Sequence, residues 1–398
     1  MTPAARVQAA IGVLDQVFDG MPAEKALTHW ARGARYGGSK DRAAVRDFVF
    51  QAIRCRDSYA VLGGGQTGRQ VMIGQIRAEG GQPETYFTGS PYAPAPLTVA
   101  ERAIAAKADP DLNTDLPPDL PAWLYGKFEE SLGAEGAAEA AGMLRRRAPV
   151  MLRVNGRKAD PVDVIASLAT DGVSASAVPE IETALHVTDG ARRVGQTQAY
   201  LSGEVELQDA HSQAAMVCLE VRDGARVLDY CAGGGGKTLA LAARINATYF
   251  AHDANPRRMK DLPDRAHRAG VAVDLVQGEA VRRHGPYDLV LCDVPCSGSG
   301  TWRRSPEAKW SLTPDRLASL CRVQAEILDQ AVALTAPGGC IAYTTCSVLR
   351  EENEDRIAMF LSTHPDWSVH YARSWPLDAR GDGFFLTTLT QRPSDVAS

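Results

Sequence analysis

Apolar residues near the start of the chain recur at helical spacing. Val7, Ile11, Leu14 and Phe18 share one face, and Gly20 follows as a stop signal. A second helix is expected to begin near Asp41 and to carry Val45, Phe48, Val49 and Ile53, with Gly63, Gly64 and Gly65 breaking it. Arg42, Arg46, Arg54 and Arg56 lie along it, several away from the apolar stripe. Residues 80–121 are rich in Gly, Pro and Asp and read as a loose connection with one short helix near 99–106. A helix over 122–144, a strand over 150–154 and a helix over 162–168 then suggest a small α+β module.

From about Val221 the pattern changes. Apolar runs at 225–230, 248–252, 271–276, 288–291 and 340–344 alternate with helical stretches. That alternation predicts a parallel, doubly wound α/β sheet. Such sheets bind ligands at the carboxyl ends of their strands, so chemical residues are expected just after each run. The organisation expected is therefore multi-domain: a helical domain and linker over 1–115, a small α+β module over 116–220, and an α/β domain over 221–398.

Composition changes this picture little. The 398 residues are 45% hydrophobic and 23% charged, ordinary for a folded chain. The net charge of −5 does not advertise a nucleic-acid binder. Locally the balance differs. Residues 1–80 hold eleven Lys/Arg against seven Asp/Glu, a balance of +4, and Arg145, Arg146, Arg147, Arg153, Arg157 and Lys158 form a second basic cluster. Either run could contact phosphates or form a solvated helix face. No stretch is long and apolar enough to span a bilayer, no signal peptide is visible, and a cytoplasmic location is expected. The eight cysteines include no C-x-x-C pair, so neither a metal site nor a disulfide framework is expected.

The first apolar run ends in Asp229-Tyr230-Cys231-Ala232-Gly233-Gly234-Gly235-Gly236-Lys237-Thr238. A strand, then glycines, then a helix puts bare backbone beside a ligand. Asp253, twenty residues after Gly233, ends the second run and could accept hydrogen bonds from ribose hydroxyls. The turn is not a clean G-x-G-x-x-G, because Thr238 holds the third glycine position, and it is not a P-loop. An adenosine cofactor is expected, with NAD and S-adenosyl-L-methionine both open at this point.

The fourth run leads to Asp293-Val294-Pro295-Cys296-Ser297-Gly298-Ser299-Gly300, with Arg303-Arg304 and Pro306-Glu307-Ala308-Lys309-Trp310 beyond. The fifth leads from Pro337-Gly338-Gly339 to Thr345-Cys346-Ser347 and Glu351-Glu352-Asn353-Glu354. A lone cysteine is most often structural. Two of them at strand ends beside an acid favour chemistry. With Gln208-Asp209-Ala210-His211-Ser212-Gln213, Leu152-Arg153-Val154-Asn155 and Gly381-Asp382-Gly383-Phe384-Phe385, these motifs resemble the Sun/Fmu (RsmB-type) RNA cytosine-5 methyltransferases over roughly residues 118–390. The chain has Val294 where the family usually has Ala and Gly234 where it usually has Pro.

The resemblance implies a Rossmann-like class I methyltransferase domain and S-adenosyl-L-methionine as cofactor. It implies Cys346 as the nucleophile, Cys296 as the residue assisting release, and Asp293 as a motif carboxylate. It assigns the cofactor to Cys231, Ala232, Gly233, Gly234, Gly235, Gly236 and Lys237, with Asp253, Arg258, Glu279 and Asp293. Carbon 5 of cytosine is a weak nucleophile; thiolate addition at carbon 6 makes it attack a methyl sulfonium. The N-terminal helices resemble a NusB-like RNA-binding domain through Arg6, Asp41-Arg42 and Phe48-Val49. The expected partner is RNA, ribosomal in preference to tRNA, with no membrane or metal, and the protein is expected to be a monomer. Three alternatives stay open: Cys296 as nucleophile, a non-catalytic RNA-binding assembly factor, and an NAD-dependent oxidoreductase.

Overall fold

In the computed structural model, which describes residues 1–34, 37–107 and 116–392, the chain forms two compact units. One comprises Met1–Arg147 with Trp302–Ser311, the other Ala148–Thr301 with Leu312–Ser398. Part of the expected loose connection, residues 108–115, lies outside the described residues.

The first unit is helical. The helix Pro3–Phe18 starts where Thr2 accepts from Ala5 N–H, and it buries Val7, Ile11 and Leu14 as expected. The next expected helix is two. Ser39–Arg54 is followed after one residue by Arg56–Gly63, which ends on left-handed Gly64. Helices Ala23–Gly33 and Gly68–Ala78 were not anticipated; the second is capped by Thr67 and Gln70 and buries Val71, Met72, Ile73 and Ile76. The helix Ala122–Leu144 breaks at Gly133, whose φ is 75°.

This unit also holds ten residues from far along the chain. Trp302, Arg303 and Lys309 are among its most deeply buried side chains. Trp302 stacks on Phe128, with ring centroids 6.0 Å apart. The Arg54 guanidinium donates to Arg303 O at 2.9 Å, and Lys309 Nζ donates to Arg54 O at 2.7 Å. Glu307 accepts from Ala23 N–H at 2.7 Å, and Trp310 Nε1 donates to Ile53 O at 2.8 Å.

In the second unit, strands β1 (Val150–Val154), β2 (Ser174–Ala177), β3 (Ala184–Asp189) and β4 (Val205–Leu207) form an antiparallel sheet in the order β2-β3-β1-β4. The larger sheet contains β5 (Arg226–Asp229), β6 (Thr248–Ala251), β7 (Asp274–Leu275), β8 (Tyr287–Asp293), β9 (Thr335–Thr345), β10 (Trp367–Trp375) and β11 (Phe384–Gln391). Its order is β10-β11-β9-β8-β5-β6-β7. β5 to β9 are parallel as expected, but β10 and β11 join antiparallel at one edge, so the sheet is mixed. The chain leaves β5 for β6 on one side and later fills β8 on the other, which opens a crevice at the carboxyl ends of β5 and β8.

The second basic cluster ties this unit together. Arg153, buried, donates to Gly236 O at 2.8 Å. Arg157 caps the C-terminal carbonyls Ala242 O and Ile245 O at 2.5 and 2.9 Å, and Lys158 Nζ reaches Ser202 O and Arg268 O at 2.7 and 2.6 Å. These three were expected as possible phosphate contacts; each is instead engaged with backbone. In the first unit the same holds for Arg54, bonded to Arg303 O, and Arg145 pairs with Asp119 at 2.8 Å.

Candidate active site

Each chemical residue sits at or just beyond the carboxyl end of a parallel strand. Asp229 ends β5, Asp253 lies two residues past β6, Asp293 ends β8, and Cys346 follows β9. The four are brought to one edge because the strands are parallel and in register.

The glycine turn needs its glycines. Gly233 and Gly235 have φ of 51° and 75°, and a Cβ on Gly235 would lie 2.2 Å from Leu262 Cδ1. Gly236 starts the helix Gly236–Ala242. Asp253 is buried and holds the turn: its carboxylate accepts from Gly233 N–H and Asn255 N–H, both at 2.9 Å, and pairs with Arg258 at 3.2 Å. Gln277 donates to Asp253 O at 3.2 Å, a link the sequence did not suggest. Glu279 is exposed at the first turn of the helix Glu279–Arg283. Asp229 accepts from Thr238 Oγ1 at 2.6 Å, which explains the hydroxyl at the third glycine position. Its other carboxylate oxygen is buried without a partner, and burial pushes its pKa up to about 7.

Lys237 leaves the turn for the reacting half. Its Nζ lies 2.7 Å from Asp293 Oδ2 and 5.1 Å from the centroid of the Phe384 ring. Burial alone would lower its pKa, but the Asp293 carboxylate holds the ammonium above its ordinary value. Thr344 donates to the other Asp293 oxygen at 3.1 Å. The sequence had placed Lys237 only with the cofactor loop; the signal for its second role is its position directly after the glycines.

The two cysteines meet. Cys296 Sγ and Cys346 Sγ are 3.4 Å apart. The hydrogen bond from Cys296 lowers the Cys346 pKa, outweighing burial, and the Lys237 charge acts in the same direction. The same bond and burial push the Cys296 thiol well up. These directions favour Cys346 as the thiolate of the pair. Burial and the nearby acids push the Cys231 and Cys292 thiols up, which disfavours their thiolates.

Glycines also build this half. Gly298 has φ 69°, and a Cβ on Gly300 would lie 2.3 Å from Gly383 O. Gly300 N–H donates to Cys346 O and Gly383 N–H to Gly300 O, both at 3.0 Å. The Gly381-Asp382-Gly383 motif therefore packs against the Pro-Cys loop. It meets the Asp209-Ala210-His211 motif too: Asp382 N–H donates to Asp209 at 3.0 Å, and the His211 ring lies 2.9 Å from Asp382 O.

Comparison with known proteins agrees with these motifs. A family model described as 16S rRNA methyltransferase RsmB/F matches residues 216–390, and one for the ferredoxin-like domain of RsmF/B-like methyltransferases matches 120–192. A Klebsiella pneumoniae protein named ribosomal RNA small subunit methyltransferase B is 32% identical over 286 residues, 68% of this chain and 66% of that one. Its Xanthomonas campestris namesake is 34% identical over 293 residues, with the same shares. The chain thus spans slightly under two thirds of these relatives' length. Among solved structures, that of PH0851 superposes with TM-score 0.74 at 24% identity, covering 98% of this chain and 99% of that one, which shows the fold.

Proposed function

Since the chain belongs to the RsmB/F methyltransferase family, we propose that it methylates carbon 5 of a cytosine in small-subunit ribosomal RNA, with Cys346 as nucleophile and Cys296 assisting release. The observation that carries this reading is the 3.4 Å approach of the two thiols beside the Lys237–Asp293 pair.

The residues fit S-adenosyl-L-methionine. The left-handed glycines leave a cradle of bare backbone, Asp253 stands at the next strand end, and Asp229 keeps a buried oxygen without a partner. When bound, this cofactor supplies an electrophilic methyl group for carbon 5. Lys237 stabilises the Cys346 thiolate, which adds to carbon 6 and shifts an electron pair toward carbon 5. The Asp293 carboxylate accepts a hydrogen bond from the base's amino edge and orients the ring. After methylation the carbon 5 proton leaves to a base. The electron pair of that C–H bond restores the ring double bond, the S–C6 bond breaks, and Cys346 leaves as thiolate. Cys296 stands beside the departing sulfur.

The test is incubation of wild type, Cys296→Ala and Cys346→Ala with total RNA from cells lacking the protein and methyl-labelled S-adenosyl-L-methionine. Label in 5-methylcytosine of small-subunit ribosomal RNA, lost in Cys346→Ala, with a covalent RNA adduct accumulating in Cys296→Ala, is expected. Label in tRNA would replace the substrate. An adduct that accumulates in Cys346→Ala and is lost in Cys296→Ala would exchange the roles of the cysteines. No label with any RNA would overturn the reading.

A further inference from the structure

Two adjacent residues outside the thiol motifs grip both of them. Glu352 is fully buried, and the hydrogen bonds to its carboxylate come from neutral donors. It accepts from Ser297 N–H at 2.8 Å, from the Ser297 hydroxyl, and from Gln324 Nε2 at 3.0 Å. Gln324 also donates to Pro295 O at 3.0 Å. Residues 295 and 297, on either side of Cys296, are thereby fixed through one carboxylate and one amide. Asn353, buried as well, does the same for the other thiol. Its Oδ1 accepts from Thr345 Oγ1 at 2.6 Å and its Nδ2 donates to Ser347 O at 3.0 Å, on either side of Cys346. The clamp is anchored to β9, where Tyr343 donates its hydroxyl hydrogen to Glu352 O at 2.6 Å. Hydroxyls close the gap between the loops, with Ser299 Oγ 2.9 Å from Ser347 Oγ.

A buried carboxylate is costly to keep, and three neutral donors replace the lost water here. Asparagine in place of a second acid lets the neighbouring position both donate and accept. The charge is thus placed on the Cys296 side alone. The titratable groups around that thiol are Cys346, Glu352 and Tyr343, with Lys237 and Asp293 facing Cys346.

We propose that Glu352 and Asn353 are the positioning residues of the thiol pair, Asn353 setting Cys346 for attack and Glu352 setting Cys296 for release. This rests on the reaction proposed above. Removing the Glu352 charge should impair release and spare attack. Removing the Asn353 amide should impair attack.

The experiment compares wild type, Glu352→Gln, Glu352→Asp and Asn353→Ala. In Glu352→Gln, turnover should fall roughly tenfold while a single methyl transfer stays within about twofold, so the RNA adduct accumulates. Glu352→Asp, which keeps the charge, should recover part of the release rate. Asn353→Ala should slow the single transfer and form less adduct. A second readout needs no RNA: the pH profile of alkylation by iodoacetamide, read at each cysteine by peptide mass spectrometry. Because the Glu352 charge raises the Cys296 pKa, Cys296 should react at lower pH in Glu352→Gln, with Cys346 little changed. Thermal melting identifies any variant that has lost its fold. Folded variants that partition between adduct and product like wild type, with unaltered alkylation profiles, would overturn the proposal. If wild type makes no 5-methylcytosine, the reaction reading fails, and the alkylation profiles still decide whether the clamp sets the thiols.

Discussion

Lys237 Nζ lies 2.7 Å from Asp293 Oδ2, so the second residue of the helix that follows the glycine turn is ion-paired to the last residue of β8. The pair joins the cofactor side of the crevice to the reacting side. Its cation also stabilises the Cys346 thiolate. Lys237→Met removes this cation and leaves the Asp293 carboxylate facing the thiol, so it should raise the Cys346 pKa and slow its alkylation at pH 7. In wild type, Cys346 should stay reactive as pH falls below the ordinary thiol value of 9.0, while Cys296 does not. Peptide-resolved alkylation rates check both statements.

Adjacent glycines should respond differently. Gly235→Ala puts a Cβ 2.2 Å from Leu262 at a φ of 75°, and should cost about 1–2 kcal/mol from the left-handed conformation alone. Gly236→Ala meets nothing within 4 Å and should be neutral or stabilise by roughly 0.4–1 kcal/mol. Denaturant unfolding without cofactor separates the two.

Lys309 gives the helical unit a pH signature. Burial lowers its pKa from 10.5 to about 8. Between these values the unfolded chain binds more protons than the folded one, so stability rises with pH through that window. Relative to Lys309→Met, wild type should gain about 3 kcal/mol between pH 8 and 10.5. The variant also loses the bond to Arg54 O at every pH, so the change of the difference with pH is the informative quantity. Melting of both proteins across the window measures it; a constant difference would contradict the assignment.

Mild peroxide should join the two thiols. The Cys346 thiolate attacks the peroxide oxygen and releases water, forming a sulfenic acid. Cys296 then displaces a second water and forms the disulfide. The protein should become lighter by two hydrogen atoms, lose adduct formation, and recover both with a dithiol reductant. Intact mass with and without reductant tests this, and Cys296→Ala should fail to form the bridge.

The crevice was legible because each parallel strand ends in its own chemical residue. A run of apolar residues followed by Asp229, Asp253, Asp293 or Cys346 is a one-dimensional signal. The antiparallel β10 and β11 were not, since strands such as Ser368-Val369-His370-Tyr371 alternate weakly and owe their place to pairing with β9. The helix Gly68–Ala78 opens on a glycine and so reads as loop, although its capping box and buried face make it a helix. The basic cluster misled for a physical reason. Arg153, Arg157 and Lys158 count as charge in a sequence, but their task is to satisfy carbonyl oxygens that only the fold leaves open. Glu352 and Asn353 were noted as part of a motif, without a role; nothing in spacing reveals that adjacent residues reach two different loops.

The ten residues Trp302–Ser311 also set an order of events during synthesis. The helical unit is complete in sequence at Arg147 except for this piece, which carries Trp302, Arg303, Lys309 and Trp310. At ~5–20 residues per second, the ribosome needs on the order of ten to thirty seconds more to deliver it. Through that interval Phe128 has no Trp302 to stack on, and the carbonyls of Ile53 and Arg54 wait for their donors. The nascent chain thus holds an unfinished N-terminal core open for its own later segment, a window in which chaperone capture or premature termination would act.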